Sequence, residues 1–592
     1  MRKTSALLLA LVSLCLAAEA KFEYTVKMNP DEQRLEISIR TPVSGDSSDY
    51  QMPNWAPGAY ILAENHRRVE NFKVTDDDSK ELTFEKPNNY TWRVSHPGQS
   101  AIVLSYHIRA AITNGAVHYS GPSTYLYAVG RKTEPCLLRL SVPQGWKTAI
   151  GLDELEPGSN DYIADSYDIL ADNPVSMGDL IIDEYRSGGK PHFIVYRGAG
   201  ASVVDRDYVK RACKHISDFQ IAFFGGAPFN KFVWHFNVSR GGGGAGGLEH
   251  LTSTQISFGS NVTNSAVSVF SHEYFHLWNV KRIRSKTLGP FDYTILPRTG
   301  ALWWLEGVTD YYAHLLLFRG GWWGKELFFN DVIGQVRSYR SMAARTEVSL
   351  YEASEKVGDA NNGRGNSSGF RINYYTGGWV AGMCLDIELR SLTNNRHSLD
   401  DVMRALWEIC KDDKPGFEED EIRKQMVRFG GEAMGAYYDK IIRTPGDMNI
   451  DEQLAKVGLV LENKVETTVD SGITYLVEEG AYPKVRFTRG AASDALETDD
   501  LILSVNGSSL EGKNKTEMEA LMTAHIDQAK PDSAINLKVR RSGEAKEVSV
   551  MPTSRNRTVT RIVEQDDPTK ARAREAWFYA GKKPERDDLG KR

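Results

Sequence analysis

Ser271-His272-Glu273-Tyr274-Phe275-His276 sets two histidines four residues apart, with a glutamate beside the first. Apolar residues recur around it at helical spacing (Val267, Val269, Phe270, Phe275, Leu277), so the spacing predicts a helix over 266–280. Residues four apart share one helix face, and both imidazoles can then reach a single ion. Glu273 lies beside that ion, where it can take a proton from an attacking water. The alternative, two histidines on a solvated helix, is disfavoured by the apolar surroundings.

A catalytic zinc needs a third protein ligand and one open position. Downstream, Trp303-Trp304-Leu305-Glu306-Gly307-Val308-Thr309-Asp310 sets Glu306 in an apolar, aromatic segment. An unpaired carboxylate there is costly, which makes Glu306 the expected third ligand and one Zn2+ per chain the expected cofactor. Asp310 follows one turn later. It either accepts a hydrogen bond from a ligand histidine, fixing that ring's tautomer, or serves as a solvated or capping residue. The spacing leaves both open.

Around this centre, 592 residues are too many for one hydrophobic core and imply about three or four domains. A net charge of -6 with 25% charged residues excludes a strongly basic, nucleic-acid-binding chain. Arg2 and Lys3 precede an apolar run from Ala6 to Ala18, which closes on Ala18-Glu19-Ala20. That is the layout of a secretory signal over 1–20, cleaved before Lys21, and it predicts a periplasmic or extracellular protein. No later stretch has the roughly eighteen apolar residues of a membrane span. Cys136, Cys213, Cys384 and Cys410 form no C-x-x-C pair and are expected as buried free thiols, although the sequence does not fix their pairing.

Short alternating runs such as Leu35-Glu36-Ile37-Ser38-Ile39 and Ala101-Ile102-Val103-Leu104-Ser105-Tyr106 predict an antiparallel β-domain over 21–185. After a strand at 192–196, helical periodicity over 205–224, 266–280, 302–318, 325–337 and 379–392 marks an α-rich domain, 186–455. Strands return over 456–554 with one helix at 515–527, and Asn506-Gly507 forms a tight turn. Residues 555–592 read as a charged, poorly ordered tail in which Ala576-Trp577-Phe578-Tyr579 can dock. The fold class is multidomain α+β.

Several motifs, in one order, resemble the glycyl aminopeptidase family of gluzincin metallopeptidases. They are Trp55-Ala56-Pro57-Gly58-Ala59-Tyr60, Gly246-Gly247-Leu248-Glu249-His250, His272 to Arg284, Leu302 to Tyr312, and Tyr374-Tyr375-Thr376-Gly377-Gly378. The resemblance implies a thermolysin-like catalytic domain followed by a PDZ-like domain with a possible peptide ligand. It further implies that Gly246 and Gly247 belong to an edge strand that pairs with substrate backbone, while Glu249 binds the substrate's free α-ammonium. A carboxylate at the end of a cleft selects such amines by charge-assisted hydrogen bonding. Tyr375 matches the tyrosine that stabilises the tetrahedral intermediate. Gly377 stands where a lysine is common, and Tyr374 is an alternative to Tyr375. Ala495 and Asp499 depart from the PDZ glycines. The expected activity is removal of small N-terminal residues, glycine or alanine, from peptides. A zinc endopeptidase and a non-catalytic PDZ scaffold are the competing readings.

Overall fold

The computed structural model describes residues 21–357, 373–412, 414–531, 533–585 and 589–591. The expected export signal lies outside the described residues. The chain divides into two compact units: one runs to Val460 and resumes at Glu564, and the other is Leu461–Val563.

The first unit begins with three β-sheets. Strand Phe22–Asn29 buries Phe22, Tyr24, Val26 and Met28 while the alternating Glu23, Thr25 and Lys27 face outward, the period of two that a one-sided sheet requires. The strands are largely antiparallel, with one departure. Phe22–Asn29 pairs in parallel with Cys136–Ser141, in register from Phe22 opposite Cys136. Parallel neighbours need a long crossover, and here the intervening strands themselves supply it. The sheets share one core that also takes in Tyr293 from the following domain. Cys136, Cys213, Cys384 and Cys410 are all buried and free.

The second layer is a five-stranded mixed sheet: β1 (Ile181–Ser187), β2 (Lys190–Arg197), β3 (Phe232–Ser239), β4 (Gly246–Glu249) and β5 (Ser253–Gly259), in spatial order β1-β2-β3-β5-β4. Strand β3 sits centrally and is almost entirely buried. Strand β4 is the edge and runs antiparallel to β5. Helix α1 (Arg206–Phe224) connects β2 to β3, and helix α2 (Asn264–Phe275) follows β5. Thr263 caps α2 by accepting from the Ala266 amide at 3.2 Å. Trp234 of β3 stacks on Tyr274 at 5.2 Å, and Phe236 stacks on Phe270 at 4.8 Å. These contacts press one face of α2 onto the sheet and leave His272, Glu273 and His276 on another. The helix stops sooner than its periodicity predicts. His276 is already its cap, and Leu277, Trp278 and Asn279 continue as tight turns.

Residues 303–308 wind as a π-helical turn, then α3 (Thr309–Arg319) continues as a regular helix. Helix α4 (Tyr374–Leu392) packs against that turn. A Cβ on Gly307 would lie 2.5 Å from the Gly378 Cα and from the Tyr374 carbonyl oxygen, and one on Gly378 would clash with the Trp303 carbonyl. Only two glycines allow these backbones to come so close.

The stretch read as a disordered tail is largely built structure. It forms a strand to Glu564 and then α5 (Pro568–Tyr579), which starts with Asp567 as its cap. Trp577 is fully buried and donates to the Tyr311 hydroxyl at 2.8 Å; that hydroxyl donates to Asp386 at 2.9 Å. Arg319 and Arg390 donate to the Trp577 and Ala576 carbonyls, both at 3.0 Å. The charged residues that made the tail look disordered are the outer face of a docked helix.

The second unit carries a six-stranded antiparallel sheet: 473–476, 484–488, 501–505, 535–541 and 544–550 in order, with the short strand 508–509 also paired to 501–505. A helix, Lys515–Met522, supplies Met518 and Met522 to its core beside Val485, Ile502 and Val539. Asn506 (φ 47°) and Gly507 (φ 81°) make the expected tight turn. No helix among the described residues is long and apolar enough to cross a membrane.

Replacing Trp577 by alanine should open a large cavity and remove the hydrogen bond donated to the Tyr311 hydroxyl, at a cost of about 3–5 kcal/mol. Thermal unfolding followed by circular dichroism should shift to lower temperature. An unchanged midpoint would mean that α5 is not part of the first unit's core.

Candidate metal centre and active-site cleft

Helix α2 presents His272 and His276 from consecutive turns, and the π-helical turn brings Glu306 to them. The two Nε2 atoms are 2.9 Å apart; the Glu306 Oε2 atom lies 3.3 Å from that of His276 and 3.6 Å from that of His272. The remaining ring nitrogens are engaged. His276 Nδ1 donates to the Asn279 carbonyl at 2.6 Å, and His272 Nδ1 donates to Asp310 at 3.2 Å. With Nδ1 carrying the proton, each Nε2 carries a lone pair. Two nitrogen lone pairs and a carboxylate oxygen thus converge on one buried point, an arrangement that repels itself unless a cation occupies it. His272, His276 and Glu306 form one of two metal-capable groups among the described residues. Two imidazoles and one carboxylate suit zinc with an open position, so the residues present fit the metal.

The electrostatics agree. Burial alone would lower the His272 pKa, but hydrogen bonds to Asp310 and Glu306 raise it well above its ordinary value. Glu306, which burial would push up, is instead held far below the carboxylate range by His276 and His272. The acids around this point favour positive charge there.

Asp310 therefore takes the outer position beside His272 that its sequence spacing left open. His314, one turn further along α3, lies 3.5 Å from Asp310 and contacts Asp331 at 2.7 Å, which extends the chain of partners. Asn279 is a feature the sequence reading passed over. Besides accepting from His276, it donates through its amide to the Trp304 carbonyl at 3.0 Å and to Thr309 at 2.9 Å. One buried asparagine thus ties the end of α2 to the turn that carries Glu306. A lone polar residue amid Leu277, Trp278 and Val280 was the available signal.

One cleft of about 260 Å³ is lined by these ligands together with Glu273, Asp310, Gly246, Gly247, Glu249 and Tyr375. All the candidate site residues are thus brought to one place. Burial pushes the Glu273 carboxyl up to about 7. A Cβ on Gly247 would lie 2.6 Å from the Glu273 carboxyl carbon, so the edge strand passes directly over this side chain. Tyr375, on the first turn of α4, has its ring 6.1 Å from that of His272, and Tyr374 stacks on Tyr375 at 5.0 Å.

Glu249 ends the edge strand and is 4% exposed; burial, reinforced by Glu306, raises its pKa. Two contacts from the N-terminal sheets fix its surroundings. Asp172 accepts from Lys281 at 2.6 Å and from the Leu251 amide at 2.7 Å, which anchors the chain just past Glu249. Gly58, at φ +92°, approaches so closely that a Cβ there would lie 2.6 and 2.7 Å from the two Glu249 oxygens. Beside Glu249 is a partly open recess walled by Trp55, Gly58, Tyr60, Arg284 and Phe291, among others.

Two stretches of the chain match known family models. Residues 265–381 match the family described as M61 glycyl aminopeptidase, and residues 23–179 match the Peptidase M61 N-terminal domain. A crystal structure of an aminopeptidase N family protein from Idiomarina loihiensis superimposes with a TM-score of 0.72. It covers 94% of this chain and 100% of that one at 20% identity, which shows a shared fold. An M1 zinc metallopeptidase from Deinococcus radiodurans is a more distant likeness, with a TM-score of 0.44 over 73% of this chain and 95% of that one at 11% identity. No curated protein matches the chain. The helix that bears H-E-x-x-H lies almost wholly within the stretch that matches the M61 glycyl aminopeptidase model.

Asp310→Asn should keep the fold and weaken Zn2+ binding by about 10- to 100-fold, because it loses the anionic acceptor for His272. Equilibrium dialysis reads this directly. In His276→Ala the high-affinity equivalent should vanish, and full retention there would sink the ligand assignment.

Proposed function

We propose that the protein is a zinc aminopeptidase that removes small residues from the free N-termini of peptides. The observation that carries this reading is the placement of Glu249, a buried carboxylate closing the same cleft in which His272, His276 and Glu306 converge. Zinc held by those three residues would polarise the scissile carbonyl and lower the pKa of the attacking water.

The chain's own residues divide the remaining work. Glu249 binds the α-ammonium of the first residue, so the scissile bond lies one residue away. The exposed edge of Gly246 and Gly247 pairs with substrate backbone, and glycine there admits close approach. Glu273 accepts the proton of the attacking water as the new C–O bond forms. It then delivers that proton to the leaving nitrogen as the C–N bond breaks. A carboxyl raised toward neutrality suits both roles. The Tyr375 phenol donates to the oxyanion that develops on the carbonyl oxygen. The preference for glycine or alanine rests on the family resemblance alone. Export rests on the layout of residues 1–20 alone, and a PDZ-like role for 456–554 on its strand and helix order.

Two variants and one substrate comparison test the scheme. Glu273→Gln should bind Zn2+ normally yet turn over several orders of magnitude more slowly, because an amide cannot accept the proton. Wild-type protein should cleave free peptides and spare acetylated ones. Glu249→Ala should lose a charge-assisted contact worth about 2–4 kcal/mol, which is roughly 30- to 1000-fold in kcat/KM. Internal cleavage of acetylated peptides at comparable rates would establish an endopeptidase instead.

A further inference from the structure

Two cations line the recess beside Glu249, and the fold neutralises one of them. Lys281 donates to Asp172 at 2.6 Å, and Asp172 also faces His250 at 3.3 Å. The Arg284 guanidinium, in contrast, makes no hydrogen bond or ion pair among the described residues; its central carbon lies 5.7 Å from the centroid of the Phe291 ring. Asp168, a further acid of this region, accepts from the Tyr293 hydroxyl at 2.9 Å and the Phe291 amide at 3.4 Å. Burial raises the Asp168 pKa, and Lys132 opposes this more than Arg284 does. Burial also lowers the Arg284 pKa, against the pull of Asp168 and Asp172. A guanidinium carries five N–H donors in a planar fork, and a half-buried one without partners is unfavourable. Trp55 stacks on Tyr60 at 6.3 Å and meets Phe291 edge-on at 5.8 Å, so aromatic rings make much of the remaining wall. Such low-polarity surroundings strengthen an ion pair formed beside them. Once a substrate ammonium answers Glu249, Arg284 is the unmatched charge of the recess.

We propose that Arg284 is a specificity-determining residue that receives the side-chain carboxylate of an acidic first residue, so that the enzyme removes N-terminal aspartate as well as glycine or alanine. Glu249 and Arg284 then bind opposite charges of one residue, the α-ammonium and the side-chain carboxylate. The guanidinium fork fits a carboxylate through two parallel N–H···O bonds. Aspartate has the shortest acidic side chain, in keeping with a preference for small first residues. A lysine or arginine in the same place meets a like charge. This inference rests on the aminopeptidase reading, in which Glu249 sets the first residue beside the recess.

The test compares free tripeptides that begin with aspartate or asparagine and are otherwise identical, because the two side chains match in size and differ in charge. Zinc-loaded wild-type protein should show a kcat/KM about 10- to 100-fold higher for the aspartyl peptide, the range of a hydrogen bond to a charged group. In Arg284→Met that ratio should collapse toward one, and Arg284→Lys should restore part of it, as a charge without the fork. Equal rates for the two peptides in wild-type protein overturn the proposal without any variant. An Arg284→Met protein that keeps the preference overturns it too. A binding measurement separates this proposal from the peptidase reading. Calorimetric titration of Glu273→Gln protein with the α-amides of aspartate and asparagine should show the aspartyl compound bound about 10- to 100-fold more tightly, and the difference should vanish when Arg284→Met is added. If wild-type protein cuts acetylated peptides and spares free ones while the titration keeps its Arg284-dependent preference, the anion recess stands and the aminopeptidase reading falls. If free peptides are cut but the titration shows no preference, Arg284 has no such role and the aminopeptidase reading stands.

Discussion

Three electron-rich atoms meet in the interior of this protein with no room to move apart, and much of the first unit can be understood as what holds them there. Helix α2 is pressed to the sheet by Trp234 and Phe236, and its cap residue is tied by Asn279 to the turn that carries Glu306. Helix α3 continues from that turn and returns Asp310 to His272. The protein interior is close-packed, so these ligands have few ways to relax. Their mutual repulsion makes the cation part of the fold's own electrostatic balance as much as an instrument of chemistry.

The N-terminal sheets complete the cleft as well as supporting it. Gly58 closes over Glu249, and Asp172 pins the chain just beyond it. The cleft's blind end is therefore shaped by residues about 190 and 80 positions away in sequence. A domain that looks like a structural preface sets how deep the cleft runs.

What was legible in the sequence follows from how local each constraint is. The two histidines could be read because a helix fixes residues four apart. Glu306 could be read because an isolated carboxylate in an aromatic segment needs an explanation. Strand patterns such as 35–39 and 101–106 declared themselves through their alternation. The π-helical winding at 303–308 was not legible, since it depends on the close approach of Gly307 to Gly378, a contact across about seventy residues. The proximity of Gly58 to Glu249 has no local signature either. The tail misled for a different reason: its charges are those of an exposed helix face, and only Trp577 and Phe578 mark the buried side.

The route of the chain also has a bearing on how the protein is made. The first unit is interrupted at Val460 and resumes at Glu564, so synthesis must pass through the whole inserted unit before α5 exists. Until then Tyr311, next to Asp310, lacks the tryptophan that donates to it, and Arg319 and Arg390 lack the carbonyls they bind. A nascent or prematurely terminated chain therefore carries every residue of the metal centre but not the last helix that braces it. Because residues 461–563 precede that brace in the chain, the metal centre gains its full support only after the whole inserted unit has been made.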